Sequence, residues 1–148
     1  MRTTSSISRA GASFVERLLV AGLAIVAAGC SDGSSGGVVS GPGSVTLADV
    51  QVQVFSPSCA LSDCHLGAGA QLELDLSAGA SAGNLLGVAS TEVPGLLRVE
   101  PGNAVDSYLY MKLVADPRIL GDPMPASGGP LSAGALNLIE TWIDQGAQ

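Results

Sequence analysis

Residues 59–65 have the sequence Cys59-Ala60-Leu61-Ser62-Asp63-Cys64-His65. It contains two of the chain's three cysteines and its single histidine, within a sequence of 148 residues. Thiols and an imidazole at this spacing can form a disulfide, bind a metal ion or hold a prosthetic group. A cysteine nucleophile is disfavoured, because the chain has no second histidine to act as its base. We therefore expect the chemistry of this protein at residues 59–65.

Two cysteines followed directly by a histidine are typical of c-type haem attachment, in which the thiols bind the haem covalently and the imidazole binds its iron. The usual signal is Cys-x-x-Cys-His, whereas four residues separate the thiols in this chain. The two extra residues can bulge outward as a loop while Cys64 and His65 keep their relation to the haem. The pattern favours covalent haem c, with Cys59, Cys64 and His65 as its binding residues.

Two other interpretations of the same residues stay open. Cys59 and Cys64 could form a disulfide, since thiols in exported proteins are commonly oxidised. A zinc site could use Cys59, Cys64 and His65, but a carboxylate would have to supply the fourth ligand.

The first 29 residues are typical of an export signal. Three arginines precede residues 18–28, which form an uninterrupted apolar run of eleven. A membrane-spanning helix needs about 20 apolar residues, so the segment is predicted to be cleaved rather than to anchor the chain. The run ends in Ala27-Ala28-Gly29-Cys30, which is similar to the bacterial lipoprotein box; the alternative is an ordinary secretory signal. We predict lipidation at Cys30.

The composition of the remaining residues separates a tether from a domain. Residues 31–44 are rich in serine and glycine and have almost no large side chain, as in a flexible tether. The whole chain is too short for two separate cores. We therefore predict a lipoprotein signal peptide over residues 1–29, lipidated Cys30 and a tether over 30–44, and one domain over 45–148. The protein is expected in the bacterial cell envelope, with the choice of membrane left open.

Charge and composition restrict the partners. The formal net charge is −7, and cleavage after residue 29 leaves three basic and twelve acidic residues, a net charge of −9. Phosphate binding needs a basic patch, so nucleic acid is excluded as a partner. A protein partner with a basic docking surface is the expected complement. Because only 3% of the residues are aromatic, the interior must be filled by small aliphatic side chains or by something that is not protein.

Hydrophobic spacing predicts three to four helices. Thr46 and Asp49 resemble a capping box that starts an N-terminal helix delivering Cys59, although residues 50–54 also alternate as a strand would. A second helix is expected to begin near Ser107. The clearest helix is expected over residues 133–145.

Other signals in the sequence are local. Ser132 can cap the last helix and Gly146 can end it. A short extended segment is expected over residues 71–76, and a short helix within residues 77–90.

Residues 45–147 contain several further motifs in a characteristic order. They are residues 55–59 (Phe-Ser-Pro-Ser-Cys), 64–67 (Cys-His-Leu-Gly), 74–77 (Leu-Asp-Leu-Ser), 99–102 (Val-Glu-Pro-Gly), 107–109 (Ser-Tyr-Leu), 124–125 (Met-Pro), 130–132 (Pro-Leu-Ser) and 142–147 (Trp-Ile-Asp-Gln-Gly-Ala). This arrangement resembles the small class I cytochrome c domains of exported bacterial proteins, often lipoproteins. The resemblance implies a mainly α, cytochrome c-like fold of three to four helices with long Pro/Gly-rich loops around one covalent haem c. It also implies His65 as the proximal iron ligand and the methionine of the Met-Pro loop as the distal one.

Two methionines besides the initiator could be the distal ligand. Met124 lies between Pro123 and Pro125, which restrict the backbone and prevent a helix. Met111 falls inside a helical pattern, where a space-filling core residue is expected. We predict Met124 as the ligand, although the sequence alone leaves Met111 open.

Three functions follow from these alternatives. The favoured one is a lipid-anchored monohaem cytochrome c that carries single electrons and has no enzymatic activity. If no methionine binds the iron, an open position would suit a haem peroxidase or a gas sensor. If no haem is bound, the chain would be a lipoprotein binding module with a Cys59–Cys64 disulfide.

Overall fold

A computed structural model describes residues 43–148, so the predicted signal peptide, Cys30 and most of the tether lie outside the described residues. The described part is mainly helical, as predicted, and its four α-helices are α1 (Leu47–Val50), α2 (Ser81–Leu85), α3 (Tyr108–Val114) and α4 (Ala133–Asp144). Short 3-10 turns lie at Gly67–Gly69, Gln71–Glu73 and Ala104–Asp106. Extended pairing within residues 43–148 is limited to isolated bridges, Leu86 with Val99 and Ala89 with Leu97. No helix of this part is long and apolar enough to cross a membrane.

Helix α1 begins at the capping box that the sequence predicts. The hydroxyl of Thr46 accepts from the backbone N–H of Asp49 at 3.3 Å, and the Asp49 carboxylate accepts from the N–H of Thr46 at 2.9 Å. These bonds satisfy donors that a helix start leaves free. The helical interpretation is therefore confirmed, and the alternative of a strand over residues 50–54 is wrong.

Beyond Val50 the helix widens into a π-helix, Gln51–Cys59, which the sequence analysis did not anticipate. Pro57 lies inside it. Proline has no N–H to donate and its ring crowds the carbonyl four residues earlier, so a wider turn relieves the collision. The π-helix carries the chain directly to Cys59.

Helix α4 packs against this first helical segment. The Ser132 hydroxyl caps it by accepting from the N–H of Ala135 at 3.2 Å, and Gly146 ends it in a left-handed conformation. Ile139, Trp142 and Ile143 on one face are fully buried. The ring of Trp142 meets the ring of Phe55 edge to face, with centroids 6.3 Å apart. The core therefore sits between the two ends of the described chain.

The middle of the chain differs from expectation in one place. The extended segment predicted over residues 71–76 is wrong, because residues 71–73 form a 3-10 turn in which Leu72 and Glu73 have φ of 54° and 56°. Residues other than glycine rarely adopt this left-handed backbone conformation unless the surrounding structure stabilises it. Hydrogen bonds from Arg98, which lies 25 or more residues later in the chain, stabilise this turn. The short helix expected within residues 77–90 and the helix expected near Ser107 are both confirmed as α2 and α3.

We expect Ile139→Ala to lower the free energy of unfolding by about 3 kcal/mol, because Ile139 is fully buried and its truncation leaves a cavity. Urea titration followed by circular dichroism measures the loss. The control is Val105→Ala, at a side chain that is 65% exposed, for which the change is expected within about 0.5 kcal/mol. Equal losses in the two variants would contradict this description of the core.

Candidate haem site

The predicted binding residues gather around two adjoining cavities. The large cavity has a volume of about 920 Å³ and the small cavity about 80 Å³. The walls of the two cavities share Cys59, His65, Leu72, Leu113 and Met124. Both predicted iron ligands, and one of the predicted attachment thiols, therefore line the junction between the cavities.

The segment from Cys59 to His65 forms a closed loop at the wall of the large cavity. The backbone N–H of His65 donates to the carbonyl of Cys59 at 3.1 Å, and the N–H of Cys64 donates to that of Leu61 at 3.0 Å. Spacer residues 61–63 are exposed, which agrees with an outward bulge. Both thiols line the large cavity and are not joined in a disulfide. The longer spacer therefore leaves the two thiols and the imidazole on one cavity.

The ring of His65 is oriented by the backbone. Its Nδ1 lies 3.1 Å from the carbonyl oxygen of Leu74. A carbonyl can only accept, so Nδ1 carries the proton in this bond and Nε2 keeps a lone pair. Burial lowers the pKa of His65, and the nearby charge of Arg98 lowers it further, against the backbone hydrogen bonds. The imidazole is thus kept in the neutral form that a metal ion requires.

The described part of the chain has no ligand cluster for zinc. Residues 43–148 contain no group of three or more His, Cys, Asp or Glu side chains that could hold a metal ion. Since zinc takes four ligands in structural sites, the zinc alternative lacks the geometry that it needs. Burial, with a smaller effect from Cys64, raises the pKa of the Cys59 thiol to about 11.

The two methionines occupy different environments. Met124 lines both cavities, and its backbone N–H donates to the carbonyl of Lys112 at 2.8 Å. Met111 is buried in the core and lines neither cavity. Of the two thioethers, the one at Met124 can therefore reach a ligand in the cavities.

Helix α3 holds the loop that leads to Met124. Nζ of Lys112 donates to the carbonyl of Leu120 at 2.8 Å and lies 3.1 Å from the Glu92 carboxylate. The hydroxyl of Tyr108 accepts from the N–H of Leu120 at 3.0 Å. Together with the backbone bond of Met124, these contacts attach the loop to one helix face. Met124 is therefore held in place by these contacts with α3 as well as by its flanking prolines.

A buried arginine holds another part of the wall of the small cavity. Arg98 is 8% exposed and lines the small cavity. Its guanidinium donates to the carbonyls of Leu72 at 2.9 Å and Asn84 at 3.0 Å, to the Thr91 hydroxyl at 3.1 Å and, more weakly, to the carbonyl of Glu73 at 3.4 Å. These bonds stabilise the left-handed turn at residues 72–73, which precedes the carbonyl that orients His65.

The buried arginine and the Lys112–Glu92 pair were not predicted from the sequence. The one local signal for Arg98 is its position inside an apolar run, Leu96-Leu97-Arg98-Val99, where a charge has to find internal partners. The Lys112–Glu92 pair joins residues 20 apart in sequence. No short-range pattern links them.

The residues at the cavities fit a haem c. They supply two free thiols for attachment and an imidazole and a thioether for the iron, which are the ligand types of c-type cytochromes. The large cavity lies within the roughly 300–1,000 Å³ range of cofactor pockets. The small cavity adds an apolar wall of leucines: Leu72, Leu74, Leu76, Leu85, Leu109 and Leu113.

Comparison with known proteins adds nothing to this geometry: no family model, no curated protein and no solved structure matches the chain. The assignment of the site therefore depends on its residues.

We expect Lys112→Met to lower the free energy of unfolding by about 1–3 kcal/mol, because it leaves the Glu92 carboxylate and the Leu120 carbonyl without their donor. Thermal and urea unfolding measure the loss. The matched control is Arg118→Met, whose guanidinium pairs with Asp106 and Asp116 on the surface, where water and salt screen the interaction. A larger loss for the Arg118 variant would refute the supporting role of Lys112.

Proposed function

We propose that residues 45–148 form a monohaem cytochrome c domain that carries single electrons. The observation that carries this proposal is the convergence of Cys59, Cys64, His65 and Met124 on the walls of the two cavities. These residues lie up to 65 positions apart in sequence, yet they supply the two attachment groups and two axial ligands that one haem c needs. A disulfide module would need only Cys59 and Cys64 and would leave the other two residues without a role.

Each of these residues would have a separate role in holding the haem. Each thiol would add its S–H across one vinyl group of the haem, forming a carbon–sulfur and a carbon–hydrogen bond with no leaving group. Nε2 of His65 would bind the iron, while the Leu74 carbonyl holds the ring in place through Nδ1. The thioether of Met124 would be the second iron ligand. The haem, when bound, supplies the one-electron couple of its iron.

The surface around the motif supports a protein as the redox partner. Leu61, Leu66 and Leu72 are each more than two fifths exposed. Acidic side chains exceed basic ones by eleven to three within residues 43–148, and Lys112 and Arg118 are already paired with carboxylates. An apolar rim on an acidic protein would suit a partner with a basic docking surface.

The proposed function includes a lipid anchor at Cys30. Lipidation of Cys30 after cleavage of residues 1–29 would tether the domain to a membrane of the bacterial cell envelope through residues 31–44. The tether, about 20 Å in root-mean-square length, would let the domain reach partners at the membrane surface.

We expect the full chain, produced in a bacterium that exports it and attaches haem c, to keep a haem through denaturing electrophoresis. The double variant Cys59→Ala/Cys64→Ala removes both thioethers and is expected to lose the haem stain completely. Intact mass spectrometry measures the same change. The control, Ser62→Ala in the exposed spacer, is expected to keep full staining. A wild-type chain whose mass equals that of its amino acids and acyl chains would show the haem proposal to be wrong.

We expect Met124→Leu to remove the weak far-red charge-transfer band of the ferric protein and to lower the reduction potential, because a thioether ligand raises the potential of the iron. Absorption spectroscopy and spectroelectrochemical titration measure both changes. Met111→Leu is the matched control and is expected to keep the band, since Met111 lies in the core. Loss of the band in the Met111 variant alone would assign the iron ligand to Met111. A wild-type protein without the band would favour the open-iron alternative.

A further inference from the structure

Gln51 is a polar side chain on a helix face that is otherwise apolar. It is 7% exposed, and the other buried residues of the same helical segment are Val50, Val54 and Phe55. Burial of an amide is costly unless its hydrogen bonds are made, so an apolar residue would be the simpler choice at this position. The amide at position 51 therefore calls for an explanation beyond filling space.

The amide of Gln51 is fully used. Its Nε2 donates to the carbonyl of Leu76 at 2.9 Å and to the hydroxyl of Ser56 at 3.1 Å. Its Oε1 accepts from the hydroxyl of Ser81 at 2.8 Å. A buried polar network with all its bonds made permits one arrangement of the chain and disfavours others. The Leu76 carbonyl is therefore held at a fixed place.

The segment that Gln51 binds also holds His65. The carbonyl of Leu74 lies 3.1 Å from Nδ1 of the ring, and the N–H of Leu76 donates to the carbonyl of His65 at 2.9 Å. The Asp75 carboxylate accepts from the N–H of Gly67 at 3.0 Å. Residues 74–76 thus contact the histidine at its ring and at its own carbonyl, and the chain again two residues later.

We propose that Gln51 is a positioning residue that fixes the plane of the His65 ring. The inference rests on the function proposed above, in which this ring binds the haem iron. Gln51 begins the π-helix that ends at Cys59, so its amide joins the element that carries one attachment thiol to the segment that orients the imidazole. An apolar side chain at position 51 would fill the same space without holding the Leu76 carbonyl.

The first test is Gln51→Met in the full chain with haem attached. In a ferric low-spin haem, the NMR shifts of the ring methyl groups depend on the plane of the axial imidazole. We expect the spread of these shifts to change while the far-red band stays, because the ring turns and both iron ligands remain. The matched control is Gln145→Met, at an exposed glutamine that accepts from the N–H of Val45 at 2.8 Å, and its shifts are expected to equal those of the wild type.

A second pair of variants separates loss of the Leu76 bond from loss of buried hydrogen bonds in general. Gln51→Asn is one methylene shorter, so its amide no longer reaches the Leu76 carbonyl, and the same change in methyl shifts is expected. Ser81→Ala removes the bond on the other side of the amide and leaves Leu76 bound. It is expected to lower the urea midpoint of unfolding but to keep the wild-type methyl shifts.

A further measurement needs no haem. His65 is the chain's only histidine, so one set of imidazole nitrogen signals in the NMR spectrum reports its tautomer. In the full chain made without haem, with its thiols reduced and above neutral pH, we expect the proton on Nδ1. In Gln51→Asn the ratio of the Nδ1-protonated to the Nε2-protonated form is expected to fall about fivefold, the factor that one net hydrogen bond is worth.

The outcomes are distinct. Changed methyl shifts and a lower tautomer ratio in the Gln51 variants, with wild-type values in Ser81→Ala and Gln145→Met, support the proposal. A haem-loaded Gln51→Asn protein with wild-type methyl shifts overturns it, even if Gln51→Met does not fold. Equal changes in Gln51→Asn and Ser81→Ala also overturn it, because general loosening would then explain the effect. Absence of haem from the wild type refutes the proposed function instead, and the tautomer ratio then decides the role of Gln51.

Discussion

The hydrogen bonds of the buried Arg98 guanidinium hold together the wall on which the candidate site is built. They join the turn at residues 72–73, the end of α2 at Asn84 and the loop at Thr91. The Arg98 guanidinium gives the carbonyls of these two consecutive left-handed residues a donor inside the fold. The ring of His65 depends on the same wall, because its Nδ1 is bound by the next carbonyl along the chain.

The loop of Met124 is held in a different way. Helix α3 attaches the loop of Met124 through the Lys112 ammonium, the Tyr108 hydroxyl and the Lys112 carbonyl. The two parts of the wall also meet directly, since the N–H of Leu109 in α3 donates to the carbonyl of Arg98 at 2.9 Å. Both candidate iron ligands are therefore carried by loops that connect to the same short helix, which fixes their separation better than either loop could alone.

Sequence reasoning reached the parts of this architecture that local patterns encode. The capping box at Thr46 and the cap of α4 at Ser132 depend on residues within one helical turn, and both were predicted. The start of α3 after Ser107 was predicted from the spacing of its apolar residues. The turn at residues 71–73 was not, because it is stabilised by an arginine 25 or more positions away. The π-helix was missed for a related reason: Pro57 signals an interruption of an α-helix but not how the chain resolves it.

The positions of the core side chains give a physical reason for the small number of aromatic residues. Phe55 and Trp142 fill the space between the first helix and α4, and the side chains around them are aliphatic. On the cavity side, six leucines and one aromatic residue, Tyr108, line the small cavity. Leucine side chains that face a cavity lose the dispersion contacts and the release of water that normally stabilise them. A flat apolar group bound in the adjoining large cavity and against these leucines would restore those contacts, so under the proposed function the haem would complete the hydrophobic core as well as carry the electron.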